Sequence, residues 1–177
     1  AMNQNSYIAL MGKCFRERAE GAKTFLEETP TEDATLKIPA ADYLITLDAD
    51  SVLLPDYALR LVEIMEQPVN ASVAVAQTPY SAFPDPACTL ERIAGATTDI
   101  QYIIHQGFTG HASTYWVGAN ALIRRKALDD IAEQDTEGGY PIQRYMQDRT
   151  VIEDTESSID LVDRGWSLVN YPERLAY

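Results

Sequence analysis

A single α/β domain, with a largely parallel sheet flanked by helices, is what this sequence predicts, on three observations. Short apolar, β-branched runs alternate with stretches of helical periodicity along the chain. One of those runs ends in a pair of aspartates, at the strand end where open α/β sheets hold ligands. The 177 residues are 46% hydrophobic, enough for one core, and show no internal repeat, low-complexity tract or clear domain boundary.

Taken in order, residues 5–28 read as helical, because Leu10, Cys14, Phe15, Ala22 and Phe25 share a stripe that Gly12 and Gly21 interrupt. Glu27 to Pro39 is polar, carries two prolines and reads as a loop. Tyr43 to Leu47 is a buried strand ending at Asp48. Pro55 opens a helix at its first turn, and Ala58, Leu61, Val62 and Met65 follow at helical spacing. Ser72 to Gln77 is a second apolar strand, followed by Thr78-Pro79-Tyr80 and a loop with Pro84 and Pro86. Leu90, Ile93, Ala94, Thr97, Ile100 and Ile104 mark a long helix that ends at Gly107 and Gly110. Thr114 to Arg124 reads as extended, with Gly118 where the backbone comes close to another group. A short helix near Ala127–Ile131 runs into a polar turn at Gly138-Gly139. Ile152, Thr155, Ile159 and Val162 predict a helix ended by Gly165, and Trp166 to Tyr171 is the last strand.

Charge excludes some functions. With 14 basic against 27 acidic residues the net charge is −13, so the surface repels nucleic-acid backbones and anionic lipid headgroups alike. Nucleic acid is therefore not an expected partner, and membrane contact is expected only through segments outside this chain. Cys14 and Cys88 form no Cys-x-x-Cys pair and read as reduced thiols in a cytosolic setting. No apolar run reaches the ~20 residues that span a bilayer, and no secretion signal is visible, so the chain itself is expected to be soluble.

Asp48-Ala49-Asp50 is the central feature. Residues two apart along a strand face one side, so two carboxylates at a strand end can converge on one cation. Hard oxygen ligands suit Mg²⁺ or Mn²⁺, which keep coordination positions open for substrate phosphates. Asp-x-Asp also arises by chance as a turn or helix cap, and a phosphatase would use an aspartate there as its nucleophile. Glu153-Asp154 carries a similar ambiguity. It is either a helix-start signal, acids complementing the dipole, or a general base kept ionised by unpaired helix N–H groups. Spacing does not decide between these. His105 and His111 form neither a zinc set nor a triad.

The segments Asp42–Ser51, Val75–Pro79, Tyr115–Arg125 and Val151–Thr155, the last continuing to Asp160-Leu161 and Gly165-Trp166, stand in a telling order. In that order the chain resembles family 2 glycosyltransferases, in particular the cellulose-synthase-like, membrane-associated polysaccharide synthases. The resemblance implies a GT-A-like, Rossmann-related fold, a nucleotide-sugar donor of the UDP-sugar class and a glycan acceptor. Asp48 and Asp50 would match the pair that binds Mg²⁺ or Mn²⁺ and the donor diphosphate. Asp154, with Glu153 beside it, would match the catalytic base of an inverting transfer. Trp116, Val117 and Gly118 would match the strip near the acceptor sugar, with Gln77 and Thr78 along the acceptor path. Lys23, in Gly21-Ala22-Lys23, would approach the donor phosphates.

Departures from the family accompany the matches. The first nucleotide-binding strand, with its uridine-contacting aspartate, is expected before residue 1, and the Gln-x-x-Arg-Trp motif of processive members after Tyr177. Tyr115 to Asn120 replaces the Phe-Phe-Cys-Gly-Ser strip of cellulose synthases, and Ile152 stands where a Thr often precedes Glu-Asp. The expectation is a single partial catalytic domain, residues 1–177, inactive alone, from a parent at the cytoplasmic face of the cell membrane. Its missing strand would leave a sheet edge open to pairing with a second copy. Two other classes fit parts of the pattern: a non-catalytic sugar-binding or assembly module of the same fold, and a metal-dependent phosphohydrolase built on Asp48-Ala49-Asp50.

Overall fold

The computed structural model describes residues 2–177. It opens with helix α1 (Met2–Leu10), and then departs from the predicted long helix. Cys14–Glu20 (β1) and Lys23–Glu28 (β2) form an antiparallel hairpin, and Leu36–Lys37 (β3) adds a short third strand to β1. The reason is visible in the residues. Gly12 and Gly21 take left-handed backbone conformations, φ +79° and +60°, that end a helix and turn a hairpin. Between them, charged residues find partners across strands rather than along a helix face. Arg16 lies opposite Glu27 in register and bonds it at 3.1 Å, and the Arg18 guanidinium sits 5.6 Å from the centroid of the facing Phe25 ring.

The central sheet is built from Tyr43–Thr46 (β4), Val73–Gln77 (β5), Ala121–Arg124 (β6) and a later strand, β9 (Ser167–Asn170). Its order is β4-β6-β5-β9. Strand β6 runs antiparallel to both β4 and β5, while β5 and β9 are parallel. Three strands thus share one direction, and a reversed strand is wedged among them. All five residues of β5 are buried, as expected for a strand covered on both faces.

Helices α2 (Tyr57–Met65), α3 (Thr89–Thr109), α4 (Arg125–Ile131) and α5 (Glu153–Asp163) complete the layers. Alternation along β6 divides the core. Ala121 and Ile123 pack with Leu128, Leu161 and Trp116 on one side, and Leu122 with Tyr57, Leu61 and Met65 on the other. The Gly138-Gly139 turn joins a hairpin of Glu133–Glu137 (β7) and Tyr140–Arg144 (β8), whose ladder the sequence pattern does not announce. Arg144 holds it by pairing with Glu133 at 2.7 Å and Asp135 at 3.0 Å. The chain's last residue returns to the site: Val52 and Tyr177 exchange backbone hydrogen bonds of 2.8 and 2.9 Å. No helix among the described residues is long and apolar enough to cross a membrane.

Candidate active site

The carboxyl ends of β4, β5 and β9 meet at one rim of the sheet. Ala121, the first residue of β6, pairs with Thr46 on one side and Gln77 on the other, and Gln77 pairs with Asn170. Whatever enters β6 therefore crosses the rim where β4 and β5 end. The entering strip is 114–120. Only its continuation from residue 121 forms a strand, because Gly118 (φ +94°) and Asn120 (φ +52°) adopt left-handed conformations that no ladder accommodates.

Asp48 and Asp50 lie just past β4, in a turn closed by the Ser51 N–H donating to the Asp48 carbonyl at 3.2 Å. Both are exposed and open into a hollow of about 330 Å³ shared with Tyr80, Thr98, Asn120 and Tyr177. Tyr80 stands edge-on to Tyr102, ring centroids 5.1 Å apart. Burial, then Tyr80, pushes the Tyr102 phenol well above its ordinary range, and burial pushes Tyr57 up to about 12. The Asn120 side chain is 2% exposed, and its Oδ1 has no hydrogen-bond partner among the described residues. Two unburied carboxylates open to one hollow are hard-oxygen donors of the kind that suits Mg²⁺ or Mn²⁺, with positions left for phosphate and water. The two acids alone do not make a cluster: among the described residues no three His, Cys, Asp or Glu side chains gather around one point.

Asp154 occupies the first turn of α5, half-buried, its Oδ1 accepting from the Thr155 N–H at 2.8 Å. Its Oδ2 lies 3.1 Å from the point a Cβ on Gly118 would occupy. Gly118 thus backs onto Asp154, while Asn120, two residues on, lines the hollow of Asp48 and Asp50. Glu153, also in that first turn, points to solvent.

The strip itself is held by buried side chains. Gln77, 1% exposed, donates through Nε2 to the Tyr115 carbonyl and to Asn170 Oδ1, both at 2.7 Å, and accepts the Val117 N–H at 3.0 Å. Asn170 in turn donates to the His105 carbonyl at 2.7 Å, to Thr109 Oγ1 at 2.9 Å and to Thr114 Oγ1. The Trp116 N–H donates to Ser158 Oγ at 2.9 Å.

The residues expected to bind substrate fall in different surroundings. Gln77, Thr78 and Trp116, expected along the acceptor path, are only 1%, 0% and 3% exposed. The Gln77 amide is spent on the strip, and the Trp116 ring belongs to the core between β6 and α5. Val117 and Gly118 remain half-exposed. Lys23 sits on the exposed β1–β2 hairpin and does not line the aspartate hollow. The reading missed Asn120, Ser158 and Asn170. A polar residue inside an otherwise apolar strand, as Asn170 is, was the signal available.

A family model described as glycosyl transferase family group 2 matches residues 43–177. The chain belongs to that family. The match begins at the first residue of β4 and takes in both acidic sites, so each element that builds the rim falls within it. This glycosyltransferase domain is also 26% identical over 137 residues, 75% of its length, to the cellulose synthase 1 catalytic subunit [UDP-forming] of Komagataeibacter xylinus. The chain spans 16% of that relative's length. Within the family the mixed sheet with flanking helices is a GT-A-like domain, and the reversed strand β6 is how the glycosyltransferase carries its strip to the rim.

Proposed function

We propose that the protein transfers a sugar from a nucleotide-sugar donor, of the UDP-sugar class, to a glycan acceptor in polysaccharide synthesis, with inversion at the anomeric carbon. The observation that carries this reading is the strip's double border: Gly118 against Asp154, Asn120 in the hollow of Asp48 and Asp50. A base and a diphosphate site are thereby kept within a few residues of each other.

In this reading Asp48 and Asp50 would hold Mg²⁺ or Mn²⁺, which when bound would supply positive charge to the diphosphate of the leaving nucleotide. Asp154 accepts the proton of the acceptor hydroxyl while that oxygen bonds to the anomeric carbon and the anomeric bond to phosphate breaks. The Thr155 N–H in the α5 first turn donates to its Oδ1 at 2.8 Å and holds the carboxylate's orientation. One displacement without an enzyme nucleophile inverts the configuration. Val117 and Gly118 lie beside Asp154 and would border the acceptor, while Glu153 faces solvent and takes no part in the transfer. The similarity to a cellulose synthase catalytic subunit supports a parent protein that works at the cytoplasmic face of the membrane.

The test is carried out on the full-length protein. Asp154→Asn should lower kcat by about 10²–10⁴-fold, the usual range for a lost general base. Asp50→Ala should abolish the Mn²⁺ dependence of donor binding, read by calorimetry. Product NMR should show the anomer opposite to the donor's. Retention of configuration, or phosphate release from a simple ester in place of sugar transfer, would sink the reading.

A further inference from the structure

Two adjacent serines in α5 perform the same double task on two different segments. Ser157 Oγ donates to the Glu153 carbonyl at 2.6 Å and accepts the Gln147 N–H at 2.9 Å. Ser158 Oγ donates to the Asp154 carbonyl at 2.8 Å and accepts the Trp116 N–H at 2.9 Å. Both side chains are buried, 1% and 3% exposed, so neither hydroxyl exchanges these partners for water. Serine in a helix interior usually competes with the backbone and weakens the helix. Here each hydroxyl instead staples a non-helical segment to the helix's first turn.

The segment on Ser158 is the strip, and its Gly118 completes the arrangement. The strip is pinned on its far side by Gln77 and on its near side by Ser158. That fixes the bare Cα of Gly118 against the Asp154 carboxylate: a Cβ there would meet Oδ2 at 3.1 Å and push the carboxylate by a few tenths of an ångström, on a backbone of φ +94° that strains any side chain. The carboxylate is therefore bounded by Gly118 on one side, and the backbone carbonyl of the same residue accepts from the hydroxyl that holds the strip.

We propose that Ser158 and Gly118 are positioning residues for Asp154, Ser158 by coupling the strip to the base-bearing turn and Gly118 by leaving the space the carboxylate occupies. This rests on the reading of Asp154 as the base. Neither residue touches the reacting atoms. Their effect is to hold the base at a set distance from the acceptor groove, where an error of ~1 Å can cost on the order of 100-fold in rate.

The experiment uses the full-length protein with UDP-glucose, UDP-galactose and UDP-N-acetylglucosamine in turn, and reads UDP released, with kcat and donor KM determined separately. Ser158→Ala and Gly118→Ala should each lower kcat by about 10-fold or more while leaving donor KM within about 2-fold, since neither residue lines the hollow of Asp48 and Asp50. Ser158→Thr, which keeps the hydroxyl, should recover most of the loss. Ser157→Ala is the structural control: it removes an equivalent buried hydroxyl from the same helix but leaves the strip alone, and its kcat should stay within about 2-fold of the parent at a similar fall in Tm. Equal losses in Ser157→Ala and Ser158→Ala would overturn the inference, as general loosening of α5 would then explain both. So would unchanged kcat in Ser158→Ala alongside a dead Asp154→Asn, which leaves the base reading standing. An Asp154→Asn protein that keeps its kcat, or a parent that turns over none of the three donors, overturns the base reading and this inference with it.

Discussion

His105 shows what burial does to one side chain. It is 2% exposed, packed 4.6 Å from the Tyr115 ring, and its Nδ1 has no hydrogen-bond partner among the described residues. Burial lowers its pKa from 6.5. The sign follows directly: the unfolded chain takes up a proton near that value which the folded chain refuses. Stability is thus full above the unfolded value and declines as the pH falls through and below it. Urea unfolding should show a smaller ΔG at pH 5.5 than at pH 7.5, and His105→Asn should flatten that slope. An unchanged slope would mean that other groups set the acid sensitivity. At this scale the sequence was only partly legible. Asp48, Asp50 and Asp154 could be named as candidates because acids at strand and helix ends carry a chemical reason. Ser158 and Asn120 were not, because a serine or asparagine outside a regular apolar run is informative only once its partners, far along the chain, are known.

Among elements, those with both faces covered were the easiest to read. Strand β5 is a continuous apolar run, and α2 presents Tyr57, Leu61 and Met65 to the sheet with clear periodicity. The hairpin of β1 and β2 was misread as helix because a few apolar residues happened to fall at helical spacing, while its real determinants, cross-strand charge pairs, are non-local. Helix α3 carries the opposite lesson. Its periodic stripe was legible, yet Ile93, Ile100 and Ile104 are 59%, 60% and 52% exposed, so periodicity located the helix without saying what covers it. The contrast is measurable. Leu122→Ala, at the buried junction of β6 and α2, should cost about 2–5 kcal/mol in denaturant unfolding. Ile100→Ser should change stability by no more than about 0.5 kcal/mol. Comparable losses in the two would mean that the α3 stripe is packed.

For the whole molecule, the α/β class and the rim as a site were predictable from alternating elements and the position of the acids. The reversed direction of β6 was not. Strand direction depends on how the chain travels between elements, and nothing in Ala121–Arg124 encodes it locally. Arg124 shows how the whole is then locked: its guanidinium donates to the Val73 carbonyl at 3.0 Å, the Met65 carbonyl at 2.7 Å and the Tyr43 hydroxyl at 2.9 Å, tying β4, β5 and α2 to the reversed strand.

The charged hairpin at residues 14–28 stands apart from that lock, and no residue of it belongs to either core cluster. Its cohesion is its own ladder, so it can open while the rest stays closed. Brief trypsin treatment should therefore cut first at Arg16, Arg18 or Lys23, and mass spectrometry should recover the remainder from Tyr43 onward uncut. A nick inside the four-stranded sheet at equal speed would show that the arm and the sheet melt as one body.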